Sequence, residues 1–263
     1  SFLWHFPSGR PAQPLAGTLP CGARTFLARE HATAWPARLW YSSKSHGRIK
    51  EKEGAMATCA LVGASEFNAE RFCELADAGA FDYVIAVDGG LASLEEAGRR
   101  ADMAIGDFDS LGYIPKGLRV ARFSPEKDKS DMELAFDRAC TLRYDEVIVF
   151  GGLGGRLDHT LANLNLFAAF SERGLYVTAV GLDQAVTFIT GPDVYELPAA
   201  QEGTVSVFAM NDACTGVFER GMRYGLDDAR LTNRTSLGLS NELQGEAVVI
   251  GVEEGTLAIF LPV

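Results

Sequence analysis

Tyr83-Val-Ile-Ala-Val-Asp88-Gly-Gly90 decides the fold. Five apolar residues run together without the polar alternation of a half-exposed strand. They stop at Asp-Gly-Gly, and residues 91–98 then read as a helix with Gly98 near its end. A continuous apolar strand followed by a helix is the unit of a parallel sheet covered on both faces. The unit recurs in both directions. Residues 58–63 form a buried strand and residues 67–78 a helix. Residues 103–105 and 119–123 are short strands. Met132, Ala135, Phe136, Ala139 and Cys140 make one helical stripe. A strand at 146–150, a second stripe at Leu157, Leu161, Leu164 and Ala168, and a strand at 175–180 complete the series.

After about residue 190 the helical period ends. Residues 204–210, 247–252 and 256–261 are strand-like, with Gly, Asn and Asp between them. The expected class is α/β: a parallel-sheet catalytic domain with helices on both faces over 56–188, then a smaller, sandwich-like all-β domain over 189–263. The second is small enough to require packing on the first or on another chain.

Residues 1–55 have a different character. They hold all three Trp (4, 35, 40), three of four His and five of ten Pro, with no sustained period. Their 8 Lys/Arg and 3 Asp/Glu give +5, whereas residues 56–263 carry −16. Glu51-Lys-Glu-Gly-Ala-Met56 can be encoded by a purine-rich run before ATG, like a bacterial ribosome-binding site and start codon. We expect 1–55 to be a non-native or disordered extension, with Met56 the native start. The acidic body is a poor partner for nucleic acid. No run approaches the ~20 apolar residues of a membrane helix. Five scattered cysteines without a C-x-x-C argue for a reducing, cytoplasmic setting and against a zinc site.

Chemistry concentrates at strand ends, where parallel α/β sheets bind ligands. Gly106-Asp-Phe-Asp-Ser110 follows the 103–105 strand. Alternation there would point Asp107 and Asp109 the same way and turn Phe108 into the core. Two carboxylates ~4–5 Å apart repel by roughly 3–4 kcal/mol at an effective dielectric near 20. A hard divalent cation between them removes that cost. Asp88-Gly-Gly90 suits either a ligand site or a plain turn with Asp88 as N-cap. Glu126-Lys-Asp-Lys-Ser-Asp131 opens the Met132 helix. Ser130 and Glu133 make a capping box, which leaves Lys127 and Asp131 for a metal-bound phosphate. Gly151-Gly-Leu-Gly-Gly-Arg-Leu-Asp-His159 is a glycine-rich loop without the P-loop or dinucleotide spacing. It still suits phosphate, with Arg156 forked onto its oxygens. His159 reads as a cap or packed side chain before it reads as a base. An acidic cluster of this kind binds ATP only with Mg²⁺, and phosphoryl transfer then needs no covalent nucleophile.

Taken in order, Asp88-Gly-Gly, Gly106-Asp-Phe-Asp-Ser110, Lys127-Asp-Lys-Ser-Asp131, Gly154-Gly-Arg-Leu-Asp-His159 with Asn163, and Ser240-Asn-Glu242 resemble thiamine pyrophosphokinases of the bacterial type, over about residues 60–262. The resemblance implies transfer of the pyrophosphoryl group of ATP to the thiamine hydroxyl, giving thiamine diphosphate and AMP. It implies Mg²⁺, a homodimer and a β domain that helps bind thiamine across the dimer. By matching position, Asp107, Asp109 and Asp131 would hold Mg²⁺, with Asp88 near the reacting groups. Lys127, Ser130, Gly154, Gly155, Arg156, Asp158 and His159 would face ATP, and Ser240 and Asn241 thiamine. Ser130 stands where Thr is usual and keeps the hydroxyl. No Trp follows Met56, whereas some members of the family stack an aromatic residue on thiamine. The other readings are a pyrophosphokinase for another heterocyclic alcohol, such as a hydroxymethyl pterin, and a non-catalytic thiamine- or nucleotide-binding regulator.

Mass spectrometry of the protein from its native cell should find Met56 at or next to the N-terminus. Tryptic peptides from residues 1–50 would refute that start.

Overall fold

Side chains along the central strands alternate between two apolar layers, and that alternation builds the sheet. The computed structural model describes residues 56–108, 113, 117–123, 128–200 and 202–263. The first half runs β1 (Thr58–Val62), α1 (Ala69–Asp77), β2 (Tyr83–Val87), α2 (Gly90–Glu96), β3 (Met103–Gly106), β4 (Arg119–Arg122), α3 (Asp131–Thr141), β5 (Glu146–Phe150), α4 (Leu157–Glu172) and β6 (Tyr176–Val180). Cys59 and Leu61 of β1, Ile85 and Val87 of β2, and Val147 and Val149 of β5 pack with Phe136 of α3 and Phe167 of α4. Ala60, Val62, Ala86, Ile148 and Phe150 face the other way, onto Phe72 of α1 and Leu91 and Leu94 of α2. Both faces are therefore covered, which is why these strands read as unbroken apolar runs.

These six strands pair in parallel in the order β6-β5-β1-β2-β3-β4. The order reverses between β1 and β5, and a crevice at such a reversal is where open α/β sheets take ligands.

The second half contains β7 (Gln184–Thr190), β8 (Asp193–Leu197), β9 (Thr204–Ala209), β10 (Cys214–Arg220), β11 (Leu226–Leu231), β12 (Asn241–Glu242), β13 (Val248–Val252) and β14 (Thr256–Pro262). β7 pairs antiparallel with β6, so the first sheet continues through β7, β14, β9 and β12 to ten strands. A second sheet, β11-β10-β13-β8, lies over its far end. The boundary expected after residue 188 thus falls inside β7. Strand β14 explains how the two halves are joined. Its Leu257, Ile259 and Leu261 point into the sandwich core, while Ala258 joins the core beneath α3 and α4.

Two helices differ in detail from the expected stripes. Ser130 caps α3 by accepting a hydrogen bond from Glu133 N (3.2 Å). The Glu133 carboxylate pairs with Lys129 Nζ (3.2 Å). In α4 Ala168 is buried as expected, together with Phe167 and Phe170, which lay outside the expected stripe, but Leu157 and Leu161 are 82% and 60% exposed. The first turns of α4 border a cavity through His159 and Asn163, and their outer side packs on no layer among the described residues.

Gly90 shows how tightly the strand ends are packed. A Cβ there would sit 1.9 Å from the Val62 carbonyl oxygen, which belongs to backbone and cannot yield. Gly90→Ala should destabilise the protein by about 3 kcal/mol or more, or prevent folding. Denaturant unfolding measures this, and a midpoint equal to that of the parent chain would refute the packing described.

Candidate active site

Two loops meet where β1 and β5 end. Gly63 N donates to Phe150 O (2.8 Å) and Ser65 N to Gly151 O (2.9 Å). The approach is mutual: a Cβ on Gly63 would lie 2.5 Å from Gly151 O, and one on Gly151 would lie 2.2 Å from Gly63 O. Gly151 (φ 62°), Gly154 (φ 78°) and Gly155 (φ 61°) all occupy the left-handed region, so the glycines of this loop are a backbone requirement.

Side chains then fix the loop. Ser65 Oγ and Thr160 Oγ1 both donate to Gly154 O, at 2.8 and 3.0 Å. Asn163 Nδ2 donates to Gly152 O (2.8 Å). Glu66 accepts from Gly155 N through Oε1 (3.3 Å). Ser65 and Glu66 were not singled out from the sequence. They stand alone after an apolar strand, and only the pairing of β1 with β5 brings them to the glycine loop.

The result is a cavity of about 690 Å³ at the carboxyl ends of the strands. Its lining includes Asp88, Ser130, Asp131, Gly155, Arg156 and His159, drawn with Glu66 from four separate stretches of sequence. Arg156 is the only Lys or Arg among its described lining residues. Asp88 is half-buried just past β2, with φ 47°. Its backbone N donates to Ile105 O (2.7 Å), and Gly106 passes so close that a Cβ would be 3.0 Å from Asp88 Cα. The N-cap position of α2 belongs to Gly89, which leaves the Asp88 side chain outside the cap. Asp131 is the first residue of α3 and is half-buried.

Asp107 follows β3 directly and is half-buried. Phe108 enters the core as expected, 3% exposed, but does so at φ 62° and outside a strand. The extended alternation assumed for this segment therefore ends at Gly106. Asp109 and Lys127 lie outside the described residues. Among the described residues no group of three or more His, Cys, Asp or Glu is placed to hold a metal ion.

Arg156 and Asp158 form a two-point pair: Nε to Oδ1 at 3.2 Å and Nη2 to Oδ2 at 2.6 Å. The hydrogen bond from Arg156 holds the Asp158 carboxyl below its ordinary range, and Asp158 in turn raises the Arg156 guanidinium. Asp158 Oδ1 also accepts from His159 N (3.0 Å). Gly154 lines a neighbouring cavity of about 570 Å³, with Leu153, Leu164, Leu182, Phe260 and again Glu66.

Ser240 and Asn241 line neither cavity. They stand on the sandwich, Ser240 exposed at φ 56° and Asn241 4% exposed. Ser240 N donates to Ser206 Oγ (3.0 Å).

Comparison with known proteins agrees with this geometry. Residues 78–179 match the family model described as thiamin pyrophosphokinase, catalytic domain. Residues 194–257 match the one described as thiamin pyrophosphokinase, vitamin B1 binding domain. A thiamine pyrophosphokinase of Bacillus subtilis is 28% identical over 167 residues, covering 60% of this chain and 77% of that protein. The crystal structure of a thiamin pyrophosphokinase from Geobacillus thermodenitrificans superposes with TM-score 0.65 at 27% identity, covering 78% of this chain and 97% of that one. The fold extends to the Candida albicans thiamin pyrophosphokinase, TM-score 0.65 at 12% identity, over 78% of this chain and 90% of that one. The two family models together span well over half of the sequence, one on the α/β half and one on the sandwich. The chain belongs to the thiamin pyrophosphokinase family.

Proposed function

We propose that pyrophosphate transfer from ATP to thiamine takes place in the 690 Å³ cavity, with the triphosphate on the glycine loop. The single observation that carries this reading is the convergence of Asp88, Asp131 and Arg156 with Gly151, Gly152 and Gly155 of the glycine loop on one cavity at the reversal of strand order. The thiamine hydroxyl oxygen attacks the β-phosphorus, the bond from that phosphorus to the α-phosphate oxygen breaks, and AMP leaves. Asp88, held by backbone on both sides, is assigned to receive the hydroxyl proton. Arg156 faces the phosphate oxygens, and Ser130 and His159 line the same wall.

Mg²⁺ fits this donor set. The ion is usually held by one or two carboxylates together with substrate phosphates and water, so a preformed cage of three side chains is not required. Asp131 and Asp107 would hold it, with Asp109 following in sequence. When bound it would offset phosphate charge against the carboxylates. The acidic balance of residues 56–263 supports ATP as its Mg²⁺ complex over bare ATP.

Thiamine is assigned to the sandwich edge at Ser240, supported by the vitamin B1 binding match over 194–257. A hydroxymethyl pterin is not favoured, since nothing in the match to that domain calls for one. A homodimer is the assembly we propose, supported by Leu157 and Leu161, two exposed leucines one helical turn apart beside the site. Cytoplasmic location is supported by four free cysteines among the described residues, two of them buried. No described helix is long and apolar enough to cross a membrane.

Incubation with Mg-ATP and thiamine should release AMP in step with thiamine diphosphate, and a panel of other heterocyclic alcohols should not support it. ADP as the product would refute pyrophosphoryl transfer. Asp107→Asn and Asp131→Asn should each lower kcat at least on the order of 100-fold while the melting temperature stays near that of the parent, because a direct ligand matters no less than the outer partners that cost 10–100-fold. Parental turnover in either variant would remove that residue from the metal site.

A further inference from the structure

The sandwich buries one carboxylate, and its position is not explained by packing. Glu219 sits on β10 with its side chain turned inward and is 1% exposed. Its neighbours in that core include Val217 and Ile250. Burial pushes the carboxyl above its ordinary range. Oε2 accepts from Asn241 Nδ2 at 2.8 Å, and Oε1 has no hydrogen-bond partner among the described residues. A buried carboxyl with one unsatisfied oxygen is costly, so what it holds in place matters.

It holds Asn241. That amide offers two N–H donors and two acceptor lone pairs, and all four are engaged. Nδ2 donates to Glu219 and to Tyr224 O (2.7 Å). Oδ1 accepts from Tyr224 N (2.9 Å) and from Glu242 N (3.0 Å). The side chain therefore pairs with both backbone groups of Tyr224, as a neighbouring strand would. The surrounding contacts run the same way: Arg223 N donates to Glu242 O (3.0 Å), and Arg223 Nη1 meets Glu242 Oε2 at 2.7 Å. Asn241 has no hydrogen-bonding capacity left for a ligand. The exposed residue it holds directly is Tyr224, and it follows Ser240 in the chain, itself exposed and in the left-handed region where a serine needs support from its neighbours.

We propose that Glu219 is a positioning residue for the thiamine-binding edge: acting through the Asn241 amide, it sets the Tyr224 backbone and the Ser240 turn without touching substrate. Reversing the amide would place Oδ1 against the carboxylate, so Glu219 selects the orientation in which Tyr224 is paired at both N and O. The inference rests on the reading that thiamine lies against Ser240.

The test compares Glu219→Leu, which fills the volume without an acceptor, with Glu219→Gln, which keeps one. Hydrogen exchange of the peptide containing Tyr224 is measured alongside kinetics. In Glu219→Leu we expect faster exchange at the Tyr224 amide, a KM for thiamine raised about tenfold, in keeping with one lost buried hydrogen bond, and an unchanged KM for Mg-ATP. Glu219→Gln should restore both readouts to within about twofold. If Glu219→Leu does not fold, Glu219→Ala is read the same way. Unchanged exchange at Tyr224 overturns the clamp itself. Faster exchange with an unmoved thiamine KM overturns instead the placement of thiamine at this edge. Equal impairment of the Leu and Gln variants overturns the hydrogen-bond mechanism in favour of the charge.

Discussion

The contact on which the site depends is backbone against backbone at the ends of β1 and β5. Gly63 and Gly151 approach until neither can carry a Cβ, and the hydrogen bonds from Gly63 N and Ser65 N close the gap. Strand order reverses here, so the two loops leave the sheet in opposite directions and open the crevice between them. Every polar group that shapes the glycine loop is measured from this junction. Ser65 and Glu66 reach it from one side, Thr160 and Asn163 from the other. Nothing larger than hydrogen at residues 63 and 151 would preserve that arrangement.

The parallel half was legible because burial on both faces writes itself into sequence as unbroken apolar runs. β1, β2, β5 and β6 were each expected within about a residue of where they lie. The sandwich was less so. Its β8, β10 and β11 show no regular alternation of buried and exposed residues and carry Asp, Glu and Arg, and β12 has only two residues. Such strands have no period long enough to read. β7 was missed for another reason: it continues the first sheet in the antiparallel sense, and nothing local in Ala185–Ile189 distinguishes that from a further parallel strand. Residues beside glycines or in charge clusters were the ones the sequence singled out. Asp88, Asp131 and Arg156 do share one cavity. Ser65, Glu66 and Glu219 were not singled out, because their hydrogen-bond partners lie 89, 89 and 22 residues away.

Asn241 illustrates a limit of reading function from motif position. Ser240-Asn-Glu242 is a polar triplet in a β domain, and polar residues at a ligand edge suggest contact. The structure uses the middle residue inward. Its amide is buried and fully paired, and only its neighbours face out. The same motif thus contains a surface group and a buried, fully paired amide, and sequence spacing cannot separate the two.

Arg156 raises the opposite problem, a group that is exposed and yet paired. It is the one described arginine on an acidic cavity, and it stands 69% exposed beside an equally exposed Asp158. An exposed ion pair contributes little to stability, a median of about 0–1 kcal/mol. On the proposed reading, exchanging Asp158 for phosphate oxygens would therefore cost little, and a phosphate would offer the same two-point geometry with more charge. Asp158 holds the guanidinium at the N-terminus of α4, where the same carboxylate accepts from His159 N. A pair too weak to matter for folding is in this way well suited to hold a cation ready, since its partner can be displaced without disturbing the helix.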